Sequence, residues 1–309
     1  MQRAAQKIVV ILGPTGVGKS QLSMSVAREL NGAIVYADSV AVYRGMDIGS
    51  AKPSRADRTA VSHFCIDIAE PDEPFEAARY AREARLAIDS IVAAGRIPIV
   101  CGGSGLYIRA LLGGLFAVTE DFTDIRRRLE REYAERGSSI LFQELRDADP
   151  ATAKRLHPND WVRVRRALEI FRLTGRPFSS WIGQHQFGDT AFQVLRIGLT
   201  VERERLRERI KLRSEKMLDA GLVDEVRLLA RQGYGRELRS MRALGYRQVW
   251  DYWEGKIRRE QLLLSICQKT AQYAKRQTTW FRRESDVTWV YPEQYAYTFD
   301  KIQRFLGAG

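Results

Sequence analysis

Eight consecutive residues, Gly13-Pro14-Thr15-Gly16-Val17-Gly18-Lys19-Ser20, fill every fixed position of the pattern G-x-x-x-x-G-K-[ST]. The chemistry follows from the types and their spacing. Glycines at 13, 16 and 18 let the backbone turn its N–H groups toward an anion. A helix starting just after them would point its positive end at the same place. Lys19 adds a mobile cation for phosphate oxygens, and the Ser20 hydroxyl is placed to ligate Mg²⁺. Such a loop holds a di- or triphosphate but does not say what becomes of it. The default use is a kinase or ATPase, which usually sets an acidic residue at the end of a later apolar strand. The stretch Ile99-Val100-Cys101-Gly102-Gly103 ends without one. The nearest substitute is Asp38, which suits a general base or a ligand in a metal shell. Its plainer reading is a turn-capping aspartate in Ala-Asp-Ser-Val.

The flanking residues predict the elements that position these groups. Lys7–Leu12 is a short run rich in β-branched residues, closed by Gly13-Pro14, and reads as a fully buried parallel strand. Ser20–Asn31 carries apolar residues at helical spacing and stops at Gly32. Ala33–Ala37 reads as a strand, Phe75–Ala94 as a long helix, and Ile97–Cys101 as a third strand. This alternation predicts an α/β fold: a P-loop NTPase-like parallel sheet core flanked by helices. Asp38 then lies just outside the carboxyl end of a strand, where crevices of open α/β sheets form.

The character changes near Phe116. Ile125–Arg136, Ser138–Ala148 and Trp161–Leu173 read as helices with no convincing strand among them, which predicts an all-helical insertion domain over 116–189. Strand chemistry returns at Phe192–Leu199. Helices follow over Glu202–Ala220, Val223–Gln232 and Arg259–Arg283, with a last strand at Val287–Tyr291. The expected division is a catalytic core of 1–115 and 190–309 around the insertion.

Composition bounds the function classes. The 309 residues are 45% hydrophobic and 28% charged, which excludes a wholly disordered chain. No apolar run is long enough to span a bilayer, and no secretory signal is apparent, so no membrane role is expected. Cys65, Cys101 and Cys267 are odd in number and widely spaced, which fits a reducing, cytoplasmic setting better than disulfides. Three histidines without ligand spacing argue against catalytic zinc. The net charge is +12, and it is uneven. Residues 1–115 carry +2 and 116–190 carry +1, whereas 236–283 alone hold 12 basic and 4 acidic residues. A localised excess of this kind is the footprint of a polyanionic partner.

Several stretches together closely resemble one family, the tRNA dimethylallyltransferases (tRNA isopentenyltransferases). They are Gly13–Ser20, Asp38–Pro53, Gly102–Tyr107, His157–Asp160, Arg165–Glu169 with Gly175–Pro177, Gly245–Arg247 and Lys275–Arg282. They run in order from about residue 8 to about residue 283. The resemblance implies transfer of a dimethylallyl group from dimethylallyl diphosphate to N6 of adenosine 37, beside the tRNA anticodon, with Mg²⁺ assisting. Diphosphate then leaves from Gly13–Ser20, with Lys19 and the loop amides on its oxygens and Ser20 on the metal. Thr15 would donate to those oxygens, Arg203 and Arg213 would reach the diphosphate, and Asp38 would take the N6 proton. Arg205, Arg207 and Arg209 share the helix, so the choice of arginine stays open.

For tRNA, the resemblance implies contacts from Asp38, Ser39, Val40 and Ala41, with the target base flipped out of its stack. It adds Ser104, where the family usually has threonine, and Arg126. It also adds Val162, Arg163, Val164, Arg165 and Arg166, where Val162 replaces the usual glutamine. Last come Arg242, Ala243, Leu244, Gly245, Tyr246 and Arg247. There Tyr246 offers a stacking face and Gly245 a close backbone approach. The anticodon stem-loop and dimethylallyl diphosphate are the implied partners, and a monomer is the default. The rival readings are a nucleotide kinase, a non-catalytic RNA-binding protein with a phosphate loop, and an isopentenyltransferase acting on free adenylate.

Overall fold

A computed structural model describes residues 5–114, 122–184 and 192–307. The chain divides into two compact units, 1–112 with 190–309, and 113–189.

The first unit is built on a parallel six-stranded sheet in the order β3-β2-β4-β1-β5-β6. Its first half holds β1 (Gln6–Leu12), α1 (Lys19–Glu29), β2 (Gly32–Ala37), α2 (Arg55–Ala60), β3 (His63–Phe64), α3 (Ala77–Ala93), β4 (Ile97–Gly102) and α4 (Gly105–Gly113). β1 is central because its residues are apolar on both faces, and Ile8 through Ile11 are fully buried. It pairs with β4 in the register Val9–Ile99 and with β5 (Phe192–Leu199) in the register Val9–Leu195. From β1 the chain runs to β2, β3 and β4 on one side, then later to β5 and β6 (Val287–Val290) on the other. The carboxyl end of β1 is therefore a topological switch point.

The second unit holds α5 (Thr123–Arg136), α6 (Ser138–Ala148), α7 (Pro150–Ala153), α8 (Trp161–Thr174) and α9 (Phe178–Gln184). Its core is Leu129, Leu141, Leu145, Val164, Ala167 and Leu168. The buried Asp149 carboxylate caps α7 through the Thr152 N–H at 2.9 Å and accepts from the Ser179 N–H at 2.7 Å.

The chain then forms α10 (Arg203–Asp219), α11 (Leu222–Arg231), a 3-10 turn at Ser240–Arg242, α12 (Tyr246–Trp253), α13 (Arg259–Phe281) and, after β6, α14 (Tyr295–Gly307). The sheet face bearing Val9, Ile11, Ile34, Ile99 and Ile197 is covered by apolar side chains of α1 and α14. The segment between β2 and α2 is cross-tied from inside. The Lys52 side chain is 1% exposed, and its ammonium donates to Asp47, Asp67 and the Tyr43 carbonyl, each at 2.6 Å. Arg58 adds a second bond to Asp67 at 2.6 Å. These bonds hold the Asp67 carboxyl below its usual range although burial pushes it the other way.

Every sheet strand and long helix expected from periodicity is present. The additional elements are β3, with two residues, and α2, α4, α7, α9, α12 and α14. α4 carries buried residues at 107, 108, 110, 111 and 112, so it shows no single apolar face to read.

Candidate active site

The phosphate loop leaves the carboxyl end of β1. Gly13, Gly16 and Gly18 have φ of 145°, 82° and 110°, a region that side chains disfavour. At Gly13 a Cβ would also stand 2.7 Å from the Leu199 carbonyl of β5. The Val17 side chain is buried in the sheet core, so this residue offers its backbone. Pro14 is likewise buried and accepts from the Lys19 ammonium at 2.8 Å. Burial of that ammonium lowers the Lys19 pKa to about 8; Arg213 pushes the same way and Asp38 opposes it.

Two arginines of α10 reach the loop. Arg213 donates through Nη1 to Thr15 Oγ1 at 2.8 Å, and through Nη2 to the Ser50 carbonyl at 3.3 Å. Arg209 donates to the Val17 carbonyl at 2.9 Å. Arg203 stands exposed in the first turn of α10, ten residues before Arg213 and so about 15 Å up the helix. The arginines on the loop are thus Arg209 and Arg213.

Asp38 follows β2. Its Oδ1 accepts from the Val40 N–H at 2.8 Å and the Ala41 N–H at 3.2 Å. The turn-capping reading is therefore realised, with one oxygen. Oδ2 takes no hydrogen bond from a described residue, and the charge of Asp38 acts on both Lys19 and Tyr273. Burial, then Asp38, pushes the Tyr273 hydroxyl up to about 12. Ser20 Oγ lies 3.2 Å from Tyr36 Oη, and Ser20 is exposed. No group of three or more His, Cys, Asp or Glu side chains suited to a metal occurs among the described residues. A hydroxyl with one carboxylate nearby fits Mg²⁺, which keeps waters and takes substrate phosphate oxygens as further ligands.

Beside these groups lies a cavity of about 400 Å³. Ser39 and Val40, Gly103–Tyr107, Phe75, Arg239, Ser240, Arg242 and Ala243, and Tyr273, Gln277 and Trp280 of α13 contribute to its wall. Asp38, Thr15 and Lys19 do not line it. Gln277 stands between: its Oε1 accepts from the Thr15 N–H at 2.9 Å and its Nε2 donates to the Gly103 carbonyl at 2.9 Å. Ser104 Oγ accepts from the Ser39 N–H at 3.1 Å, so the hydroxyl expected at this position is used in joining the β2 and β4 ends. Trp280 carries Arg109 over its ring at 4.6 Å. Sequence reasoning gave no role to Tyr273, Gln277 or Trp280. Their spacing of four and three residues places them on one face of α13, the signal that could have found them.

The residues expected to meet RNA fall into two groups. Ser39, Arg163, Arg242 and Arg247 are exposed, and Val162 is 68% exposed. Arg242 and Arg247 also line a depression of about 460 Å³ with Arg236. The other group is corrected by packing. Val164 is 1% exposed in the core of the second unit, and the Ala41 side chain lies in the sheet core. Ala243 and Leu244 are half-buried. Tyr246 is 0% exposed, so it offers no stacking face; its hydroxyl donates to Glu225 at 2.7 Å. Gly245 is buried with φ of 88°, so its glycine serves the turn into α12 rather than an approach by RNA. Arg126, Arg165 and Arg166 all pair with the Glu169 carboxylate, which is 1% exposed, at 2.9, 3.3 and 3.2 Å. Arg165 also pairs with Glu130 at 2.6 Å, so three guanidiniums on two carboxylates leave a local charge of +1.

Comparison with known proteins points to one family. The family profile of the IPP transferases matches residues 41–284. The chain is 45% identical to tRNA dimethylallyltransferase 1 of Pelobacter propionicus, over 95% of each chain. It is 46% identical to tRNA dimethylallyltransferase 1 of Citrifermentans bemidjiense, over 97% of each. Among solved structures, the tRNA isopentenylpyrophosphate transferase of Bacillus halodurans superposes with a TM-score of 0.72 at 36% identity, covering 98% of this chain and 97% of that one. A eukaryotic dimethylallyltransferase described as acting on tRNA superposes with a TM-score of 0.81 at 26% identity, covering 97% and 80%.

Proposed function

The chain belongs to the IPP transferase family, the tRNA dimethylallyltransferases, and on that premise we propose how its residues carry the reaction. The substrates are dimethylallyl diphosphate and tRNA, and the acceptor is N6 of the adenosine at position 37. The observation that carries the proposal is Asp38, with one oxygen locked in a turn and the other open, beside both the phosphate loop and the aromatic cavity wall.

The allylic C–O bond breaks and its electron pair stays on the departing diphosphate. Lys19, the loop amides, Thr15 and Arg213 hold that developing negative charge where it forms. The adenine amine is a weak nucleophile because its lone pair is delocalised into the ring. As the new C–N bond forms, the N6 proton passes to Asp38 Oδ2. Mg²⁺ bound at Ser20 would neutralise further diphosphate charge. Tyr43, Phe75, Tyr107 and Trp280 present apolar faces suited to a base removed from its stack. Exposed Arg163, Arg242 and Arg247, with the Arg126, Arg165 and Arg166 cluster, supply phosphate contacts. No described helix is long and apolar enough to cross a membrane, and a tRNA substrate supports a cytoplasmic setting. We take the monomer as the working state.

Purified protein is given tRNA or AMP with labelled dimethylallyl diphosphate or labelled ATP. Allyl label in tRNA supports the proposal, and label arriving only from ATP sinks it. Asp38→Asn keeps the oxygen that caps the turn and removes the proton acceptor. Turnover should fall by about 10²–10⁴-fold while tRNA binding survives. Near-normal turnover removes Asp38 as the base.

A further inference from the structure

Glu225 lies on α11, outside the residues assigned above to either substrate. Its carboxylate takes four hydrogen bonds. Oε2 accepts from the Asp47 N–H at 2.9 Å and the Ile48 N–H at 2.7 Å. Oε1 accepts from the Gly49 N–H at 3.1 Å and the Tyr246 hydroxyl at 2.7 Å. Three consecutive backbone N–H groups turned to one point form the kind of concavity that elsewhere receives external anions. Here a carboxylate of the chain itself fills it, 176 to 178 residues away in sequence.

The cradled segment runs straight on to Ser50. The Ser50 hydroxyl donates to the Met46 carbonyl at 2.5 Å, closing the turn, and its carbonyl accepts from Arg213 Nη2 at 3.3 Å. The other arm of that guanidinium holds Thr15 Oγ1. A guanidinium is a rigid planar fork, so fixing the acceptor of one arm fixes where the other points. The Tyr246 ring packs against Gly49, where any Cβ would collide with it. Tyr246 opens α12, four residues after the exposed Arg242.

We propose that Glu225 is a positioning residue for the phosphate loop: by holding residues 47–49 it sets the Ser50 carbonyl, and through it the Arg213 fork on Thr15. The same carboxylate ties this segment, through Tyr246, to the segment carrying Arg242 and Arg247. The inference rests on the loop being the diphosphate site, and Glu225 itself touches no substrate.

The test uses inorganic pyrophosphate with Mg²⁺ as probe, binding measured by calorimetry on the full chain. Glu225→Gln keeps the shape but loses the charge that four donors converge on. Binding should weaken ~10-fold, the size of one charged hydrogen bond. In turnover assays the loss should appear as a raised KM for the allylic diphosphate, with the tRNA Kd within about twofold of wild type. The decisive measurement is a cycle with Arg213→Ala. If Glu225 acts through Arg213, the double variant binds pyrophosphate no more weakly than Arg213→Ala alone. Additive losses, or wild-type binding by Glu225→Gln, overturn the inference. Should Glu225→Gln fail to fold, Tyr246→Phe removes one of the four donors and keeps the ring. It should give a smaller loss, about 2–3-fold, that likewise vanishes beside Arg213→Ala; a loss that persists there counts against the inference. Lys19→Ala is the control for the premise. If wild type binds pyrophosphate no better than this variant, the diphosphate reading of the loop fails and the inference fails with it.

Discussion

Lys19 carries a charge that its own surroundings resist. Burial draws its pKa from the ordinary lysine value of 10.5 to about 8, so the folded protein bears a desolvation cost wherever the ammonium is charged in both folded and unfolded states. That cost is fully present below about pH 8 and fades as pH rises toward 10.5. A bound diphosphate works in the opposite sense, because it favours the charged form. The part of pyrophosphate affinity that Lys19 supplies, read as the difference from Lys19→Ala at each pH, should therefore be flat below about pH 8 and fall by about tenfold per pH unit above it, with one proton taken up by Lys19 on binding there. Calorimetry in buffers of different ionisation enthalpy reads that proton. A difference from Lys19→Ala that stays flat to about pH 9.5 removes Lys19 from the contact. At this scale the sequence was informative for groups that act through motif geometry: the glycines, Lys19, Ser20 and Asp38 all stand where their spacing put them. It was silent on Gln277 and Glu225. Their partners are backbone groups 262 and more than 170 residues away, and no local pattern encodes such a bond.

α8 shows why a contact inferred from a linear stretch must be sorted by helix face. Residues two apart on a helix point about 200° apart. Val162 is accordingly 68% exposed while Val164 sits in the core with Leu129 and Leu168. Val164→Ala should cost about 1–3 kcal/mol in the unfolding of the insertion. Val162→Ala should stay within about 0.5 kcal/mol. Denaturant titration of the two variants checks the contrast, and equal effects would mean that α8 is rotated. The same sorting accounts for Tyr246. In sequence it sits among arginines and glycine, a setting that suits RNA; in the fold it is the first residue of α12 and faces Glu225 and Gly49. Long amphipathic helices and buried strands were legible because burial of one face imposes a period. β3 and α7 were not, because two or four residues hold no period.

Across the whole molecule, the +8 of residues 236–283 is not a uniform coat. Arg236 pairs with Asp251 and Glu254, acids already subtracted in that net, so the excess is carried by other residues. The uncommitted part includes Arg242 and Arg247, which line one depression. Each should therefore lower the slope of log K against log salt for tRNA by about 0.7–1 when changed to alanine, with little change in donor KM. An unchanged slope in both would move the RNA path elsewhere. The tie between Gln277 and the Thr15 N–H bears on the molecule as a whole in another way. The nucleotide-type motif reads as self-sufficient, yet one of its amides is tethered by a carboxamide 262 residues further along the chain. A fragment ending before that glutamine would keep every residue of the motif and lose the latch that holds it against the β4 turn. The order in which a ribosome delivers the chain then matters: the motif emerges first, but its finished shape waits for a residue made 262 positions later.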